Sequence, residues 1–274
     1  MIAMVLSYHP CYVGDQNRLC AGRAPNEEDA AAMAAADAVI LPQGCSRSLY
    51  RLARRHCLLV FPNYDARFAY PGKTGQVRLF RKFGAPHPET RLYPDTATVS
   101  ASCLLNPPMA FPFVFKFDWG GEGEGVYRIE DPDMLRRRLN SSISEPPAPC
   151  LVQEYVPHGQ KTLRVVVIGK TTRSYWKVVQ KPGRFGASLA RGAVIDTLTD
   201  PELQAAGKEA VTDFCQKSGV DLAGFDLIFP EASTRSRPLF LEINYFFGRR
   251  GLGGSERFYE ILEKEIFDWL VRAR

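Results

Sequence analysis

The alternation of apolar and polar positions divides the chain into three stretches. In the first, "IAMVLS", "DAVILP" and "LLVFPN" read as short strands separated by helices, one opened by Asn26 with Glu27, Glu28 and Asp29 in its first turn, the other running from Ser46 through "LYRLARRH". Strand and helix in alternation predict a small parallel sheet with helices on its faces. Pro71-Gly72 breaks the pattern. A helix follows from Lys73 through "TGQVRLFRKFG" to Gly84, and "APHPET" continues extended because proline disfavours the helical conformation before it. "FPFVFKFDWGGEGEGVYRI", Phe111 to Ile129, then reads as two strands around a glycine-rich bend, and the proline-rich "SSISEPPAPC" as an exposed loop or hinge. "LYPDTATVS" carries no clear pattern.

From Leu151 onward strands dominate: "LVQEYV", "LRVVVIG" and "SYWKVVQ", the last two joined by a turn near Gly169-Lys170. One helix interrupts them, with Asp200 expected as N-cap, Pro201 at the first helical position and Gly219 past the end. "LAGFDLIF", a polar loop from Glu231 to Pro238 and "LFLEIN" follow, and a helix after Ser255 closes the chain with Phe258, Ile261, Leu262, Phe267, Trp269 and Leu270 on its expected core face. The fold class expected is α/β, with a small parallel domain over 1–72, a subdomain holding the glycine-rich loop over 73–150 and a second subdomain over 151–274.

Composition narrows the classes of function. The 274 residues, 45% hydrophobic and 24% charged, suffice for a folded core. A net charge of +5 is spread along the chain without a basic tail or stripe, which argues against a nucleic-acid partner and suits an anionic small ligand. No run of about 18 apolar residues suggests a membrane span, and the short apolar start, without a basic leader, leads us to expect a cytoplasmic protein. Seven scattered cysteines with no CxxC pair suggest neither a disulfide framework nor a zinc site, and read as small buried hydrophobes.

Two constellations carry chemistry. Gly120, Gly121, Gly123 and Gly125 lie between two strands rather than between a strand and a helix, which argues against a dinucleotide fingerprint. A glycine-rich hairpin can instead fold over a polyphosphate, its bare backbone N–H groups approaching the oxygens, although a solvated turn has the same pattern. Period two puts Lys116 with Val114 and Asp118, opposite Phe113, Phe115 and Phe117. In "LFLEIN" the same period puts Glu242 and Asn244 on one face with Phe240, and Leu239, Leu241 and Ile243 on the other. Pairing that strand with "GFDLIF" would bring in Asp226, giving an all-oxygen cluster of the kind magnesium takes, unless the acids face solvent or pair with bases.

From Lys73 to about Gly254 this ordered series resembles the ATP-grasp superfamily, and within it the RimK-type carboxylate-amine ligases. The residues that carry the resemblance are Lys73, Lys116 before the glycine loop, "VQEYV", Arg164 in "LRVVVIG", Lys177, "GRFGASLARGA" with Arg184 and Arg191, Asp226, Glu242 and Asn244. It implies two α+β subdomains with ATP between them, preceded by a small domain. Lys73, Lys116 and the loop glycines would contact the ATP phosphates. Gln153, Glu154, Tyr155 and Val156 would line the adenine pocket. Asp226, Glu242 and Asn244 would hold Mg2+, and Arg164, Lys177, Arg184 and Arg191 would serve catalysis.

The reaction implied is the joining of a small-molecule carboxylate to an amine through an acyl phosphate, which needs charge neutralisation and positioning more than a covalent nucleophile. A phosphotransferase acting on a hydroxyl, a nucleotide-binding protein without turnover and a homodimeric state stay open. The chain departs from the family in two places: "NYFFGRRG" puts Tyr245, Phe246 and Phe247 where a small residue and proline are usual, and Lys161, Thr162 and Leu163 precede Arg164 where an acid is common. Arg249 and Arg250 are candidates for an acidic substrate or simply a solvated pair.

Overall fold

The computed structural model describes residues 4–20, 22–103, 106–120, 124–140, 148–180, 185–231 and 237–273. Strands β1 (Val5–Ser7), β2 (Gln16–Asn17), β3 (Ala38–Ile40) and β4 (Leu59–Phe61) form a parallel sheet in the order β2-β1-β3-β4. Helices α1 (Glu27–Ala35) and α2 (Arg47–His56) connect its strands, and α3 (Asp65–Ala69) follows it. Asn26 opens α1 with a reciprocal capping box, accepting from the Asp29 amide while Asp29 accepts from its own. Ser46 caps α2 by accepting from the Leu49 amide.

Helix α4 (Gly72–Phe83) leads to a second, antiparallel sheet. Its strands are β5 (Thr90–Tyr93), β6 (Phe113–Phe117), β7 (Val126–Ile129) and β8 (Cys150–Glu154), in the order β5-β8-β6-β7, accompanied by α5 (Thr96–Cys103) and α6 (Pro132–Asn140). Phe113, Phe115 and Phe117 face α6 and close the core with Leu135, Leu139 and Val152. This is the face split that period two predicts.

The third sheet has five strands in the order β11-β10-β9-β12-β13: β9 (Lys161–Ile168), β10 (Thr171–Val178), β11 (Val194–Asp196), β12 (Leu222–Ile228) and β13 (Leu239–Asn244), with α7 (Pro201–Ser218) and α8 (Ser255–Arg272). Leu163, Val165 and Val167 pack against α7 and α4 on one face. Val166 and Ile168 on the other meet α8 and Val5, Ile40 and Phe61 of the first sheet.

Several expectations change. Residue 150 is no boundary, because β8 pairs with β5 and β6 and so belongs to the second sheet. Helix α4 packs on the third sheet as well as the second: Leu79 and Phe80 fill the core beside Phe214 and Phe240, and the Gln76 amide exchanges hydrogen bonds of 2.8 and 2.9 Å with the Ile243 backbone. Asp200 makes no side-chain cap. It sits in a left-handed conformation and its carboxylate pairs with Lys161.

On α8, Phe267 is 63% exposed and Ile266 takes its place in the core, because the apolar stripe follows 258, 262, 266 and 270. "LYPDTATVS" contains β5 and the start of α5. Cys11 is exposed, unlike Cys45, Cys57, Cys103 and Cys150, and all seven thiols are free. The "SSISEPPAPC" connector lies mostly outside the described residues, as does the centre of the 231–238 loop. Among the described residues no helix is long and apolar enough to cross a membrane.

Candidate active site

The principal cleft runs between the second and third sheets. On the third sheet, cross-strand register sets Glu242 (β13), Asp226 (β12), Arg164 (β9) and Tyr175 (β10) in one row, each opposite the next. Side chains in such a row stand within reach of one another. One irregularity makes the row possible: the register shifts between Asp226 and Leu227, so that Leu241 is an extra residue on β13. The shift changes the parity of the strand. Phe240 therefore joins Ile243 in the core, contrary to strict alternation, while Leu241, Glu242 and Asn244 line the cleft.

Asp226 is the hub. Its Oδ1 accepts from Arg164 Nε at 2.7 Å and lies 2.8 Å from Lys177 Nζ, and its Oδ2 accepts from Arg164 Nη2 at 3.0 Å and Asn244 Nδ2 at 3.3 Å. A carboxylate offers about four acceptor positions, and here all are taken. Burial opposes the Asp226 charge, but the Arg164 and Lys177 cations outweigh it and hold the carboxyl well below the usual range. Arg164 in turn is destabilised by burial and more than compensated by Asp226. Burial lowers the Lys177 pKa, with Arg164 adding to the shift and Asp226 partly opposing it. Glu242 makes no hydrogen bond or ion pair among the described residues. Because Asn244 gives its amide N–H to Asp226, its carbonyl oxygen is left for another partner.

From the second sheet Lys116 enters on β6, beside Val114 and opposite Val126 and Leu151 on the neighbouring strands. Burial lowers its pKa to about 8, with Glu242 opposing the shift and Lys73 adding to it. The hairpin it precedes is tied to the first turn of α4. Lys73 Nζ donates to the carbonyls of Trp119 and Gly120, both at 2.9 Å, and Asp118 accepts from the Thr74 amide at 2.7 Å. Gly120 has φ +86°, and a Cβ there would come within 2.8 Å of the Glu124 carbonyl oxygen, so the bend requires glycine. Gly125 is buried where the chain enters β7. Gly121, Gly123 and Arg184 lie outside the described residues.

Gln153, Glu154, Tyr155 and Val156 line the same cleft, where β8 leaves the second sheet. The Gln153 amide is buried and donates to Thr90 Oγ1 at 2.8 Å, so its side chain braces the wall. Arg191 reaches the cleft from a 3-10 turn, Leu189–Arg191. The arginine pair separates: Arg250 lines the cleft, while Arg249 stacks over the rings of Phe258 and Tyr259 at 4.8 and 4.5 Å. Phe246 and Phe247 of the departing aromatic run line the site as well, and so do Thr162, Tyr175, His158 and Leu241, which the sequence had not singled out for that role. Tyr175 was within reach of the alternation rule, two residues from Lys177 on one strand.

The oxygen donors suit a hard cation such as magnesium, which takes one or two carboxylates with waters and phosphates. Glu242 and the Asn244 carbonyl are open to it, whereas Asp226 is engaged. Among the described residues no cluster of three or more His, Cys, Asp and Glu side chains could hold a metal.

The comparisons bear on the family and the fold. The family model described as "RimK-like ATP-grasp domain" matches residues 72–270. No curated protein matches the chain. Among solved structures, a RimK domain ATP-grasp protein from Sphaerobacter thermophilus is similar at TM-score 0.65 and 16% identity, over 96% of this chain and 99% of that one. D-cycloserine synthetase DcsG aligns at TM-score 0.61 and 16% identity, over 95% of this chain and 98% of its own. VanG D-Ala:D-Ser ligase from Enterococcus faecalis aligns at TM-score 0.64 and 15% identity, over 84% and 72% respectively. These likenesses share the fold and leave the reaction to be argued from the site. With its matched domain spanning most of the chain, the protein belongs to the RimK-like ATP-grasp family.

Proposed function

We propose that this protein joins a carboxylate to an amine at the expense of ATP, in a magnesium-dependent reaction that passes through an acyl phosphate. The observation that carries the reading is the pairing of opposite charges across one cleft: buried Lys116 on one sheet faces Glu242 and the Arg164–Asp226–Lys177 network on the other. A triphosphate brings several negative charges, and a site that is to hold them needs fixed cations and a metal-binding acid within a few ångströms of each other.

In this scheme Tyr155 and Val156 border the adenine, and Lys116 neutralises phosphate oxygens under the hairpin. Glu242 and Asn244 hold the cation beside Asp226, and when bound that cation shields the charge building on the transferring phosphoryl group. Lys177, Arg164 and Arg191 line the approach of the carboxylate. Its oxygen attacks the γ-phosphorus as the bond to the β-phosphate oxygen breaks, and ADP leaves with that electron pair. The amine nitrogen then attacks the carbonyl carbon, phosphate departs, and the nitrogen loses a proton. Lys73, held by the hairpin carbonyls, keeps the loop at the mouth of α4.

The test is ADP release by the purified protein with magnesium-ATP and pooled small carboxylates and amino acids, followed by mass spectrometry, with Glu242→Gln as control. A condensed product with ADP and phosphate is the expected outcome. A product heavier by one phosphoryl group would replace the ligase reading with a kinase, and ATP binding without any turnover would replace it with a binding role.

A further inference from the structure

The "YFF" segment that departs from the family pattern divides its labour among three directions. Tyr245 turns toward the first domain and meets the Tyr64 ring edge-on at 6.0 Å. Phe247 turns into the core and meets Phe258 edge-on at 5.9 Å. Phe246, between these two anchors, is held out at the cleft wall with 74% of its surface exposed. One edge of the ring lies against Gly44, where an added Cβ would stand 3.0 Å from Phe246 Cδ2. A large ring left wet loses the stabilisation that burial would give it, of the order of 1.5–3 kcal/mol for a full side chain. The cleft therefore presents an exposed apolar ring to whatever enters.

The charges around that ring select the rest of the ligand. Arg250, four residues on in the 3-10 turn Arg250–Leu252, lines the same cleft, and its side chain makes no hydrogen bond or ion pair among the described residues. Leu189 and Arg191 line the cleft from the other 3-10 turn. The acids that line this cleft are Asp226, whose acceptor positions are filled, Glu242, on the magnesium side of the proposed site, and Glu154, on the second sheet where β8 ends. An ammonium has little to bind here, and an anion with an apolar body has both an arginine and a ring.

We propose that the carboxylate substrate is an acid bearing a flat apolar group, which lies on Phe246 while Arg250 steers its anionic end. This rests on the acyl-phosphate reading above and narrows it to a substrate class. Phe246 is then a specificity-determining residue.

Hydroxylamine tests this without knowledge of the natural amine, since its nitrogen attacks the acyl phosphate, releases phosphate and leaves a coloured-iron-binding hydroxamate. The probes are acetate and propionate against phenylacetate and 3-phenylpropionate, each with magnesium-ATP. Wild-type protein should favour the aromatic member of each pair at least tenfold in kcat/KM, a typical yield for a pocket contact of this size. Phe246→Ala should erase the preference, chiefly by raising KM for the aromatic acids, and Phe246→Trp should keep it. Arg250→Gln should raise KM for all acids alike. Hydroxamate formed equally from small and aromatic acids, or a preference that survives Phe246→Ala, would overturn the proposal and leave the ligase reading standing. ATP binding with no hydroxamate from any acid would remove both.

Discussion

Lys116 offers a quantitative test of how the cleft holds phosphate. Burial brings its pKa to about 8 in the ligand-free protein, so it is charged at pH 7 and largely neutral at pH 9. A bound triphosphate stabilises the ammonium and returns the pKa toward its ordinary value near 10.4. Binding above pH 8 then requires uptake of a proton. The sign follows: affinity is at its full value below about pH 8 and is lost as pH rises, by roughly tenfold between pH 7 and pH 9, or about 1.4 kcal/mol. Isothermal titration with a non-hydrolysable magnesium-ATP analogue from pH 6.5 to 9.5 reads this directly. In Lys116→Met the affinity should be weaker at pH 7 and the slope above pH 8 should vanish. A flat wild-type profile to pH 9.5, or an unchanged slope in the variant, would refute the assignment of Lys116 to the phosphates.

Three further outcomes are expected. Glu242→Gln should abolish magnesium-dependent ADP release with only a modest change in thermal midpoint, since the Glu242 side chain makes no hydrogen bond or ion pair among the described residues, whereas Asp226→Asn should lower stability by about 3–5 kcal/mol in denaturant titration because it strands Arg164 and Lys177 in the interior. Lys73→Met should weaken ATP binding and speed hydrogen exchange at Asp118 to Gly120, because it frees the carbonyls of Trp119 and Gly120; unaltered exchange would show that the tie does not hold the loop. Asp221, half-buried just before β12 beside the first domain and accepting from the Asn63 backbone N–H at 2.8 Å, has its pKa raised to about 7 by desolvation. The folded state thus keeps a proton that the unfolded chain releases near pH 4, stability declines as pH rises from 4 to 7, and Asp221→Asn should flatten that decline and stabilise the protein at pH 8, by up to about 4 kcal/mol in chemical denaturation.

What the sequence determined by itself was local. Asn26 and Ser46 open their helices because a cap needs only the next three residues, and Lys116 opposes three phenylalanines because successive side chains on a strand alternate faces. The order of lysines, glycines and acids was enough to suggest the family that residues 72–270 match. The tertiary structure decided everything that depends on which strand lies beside which. It moved β8 into the second sheet, packed α4 against the third as well as the second, and placed one extra residue at Leu241, a change of parity that no period-two rule contains. It turned Asp226 from a freely available ligand into a carboxylate saturated by two cations and an amide, because Arg164 and Lys177 arrive from strands about 50 to 60 positions away in the chain. It also separated Arg249 from Arg250 and left Phe246 exposed in the cleft, since only packing against Phe258, Tyr64 and Gly44 distinguishes one member of an aromatic or basic run from the next.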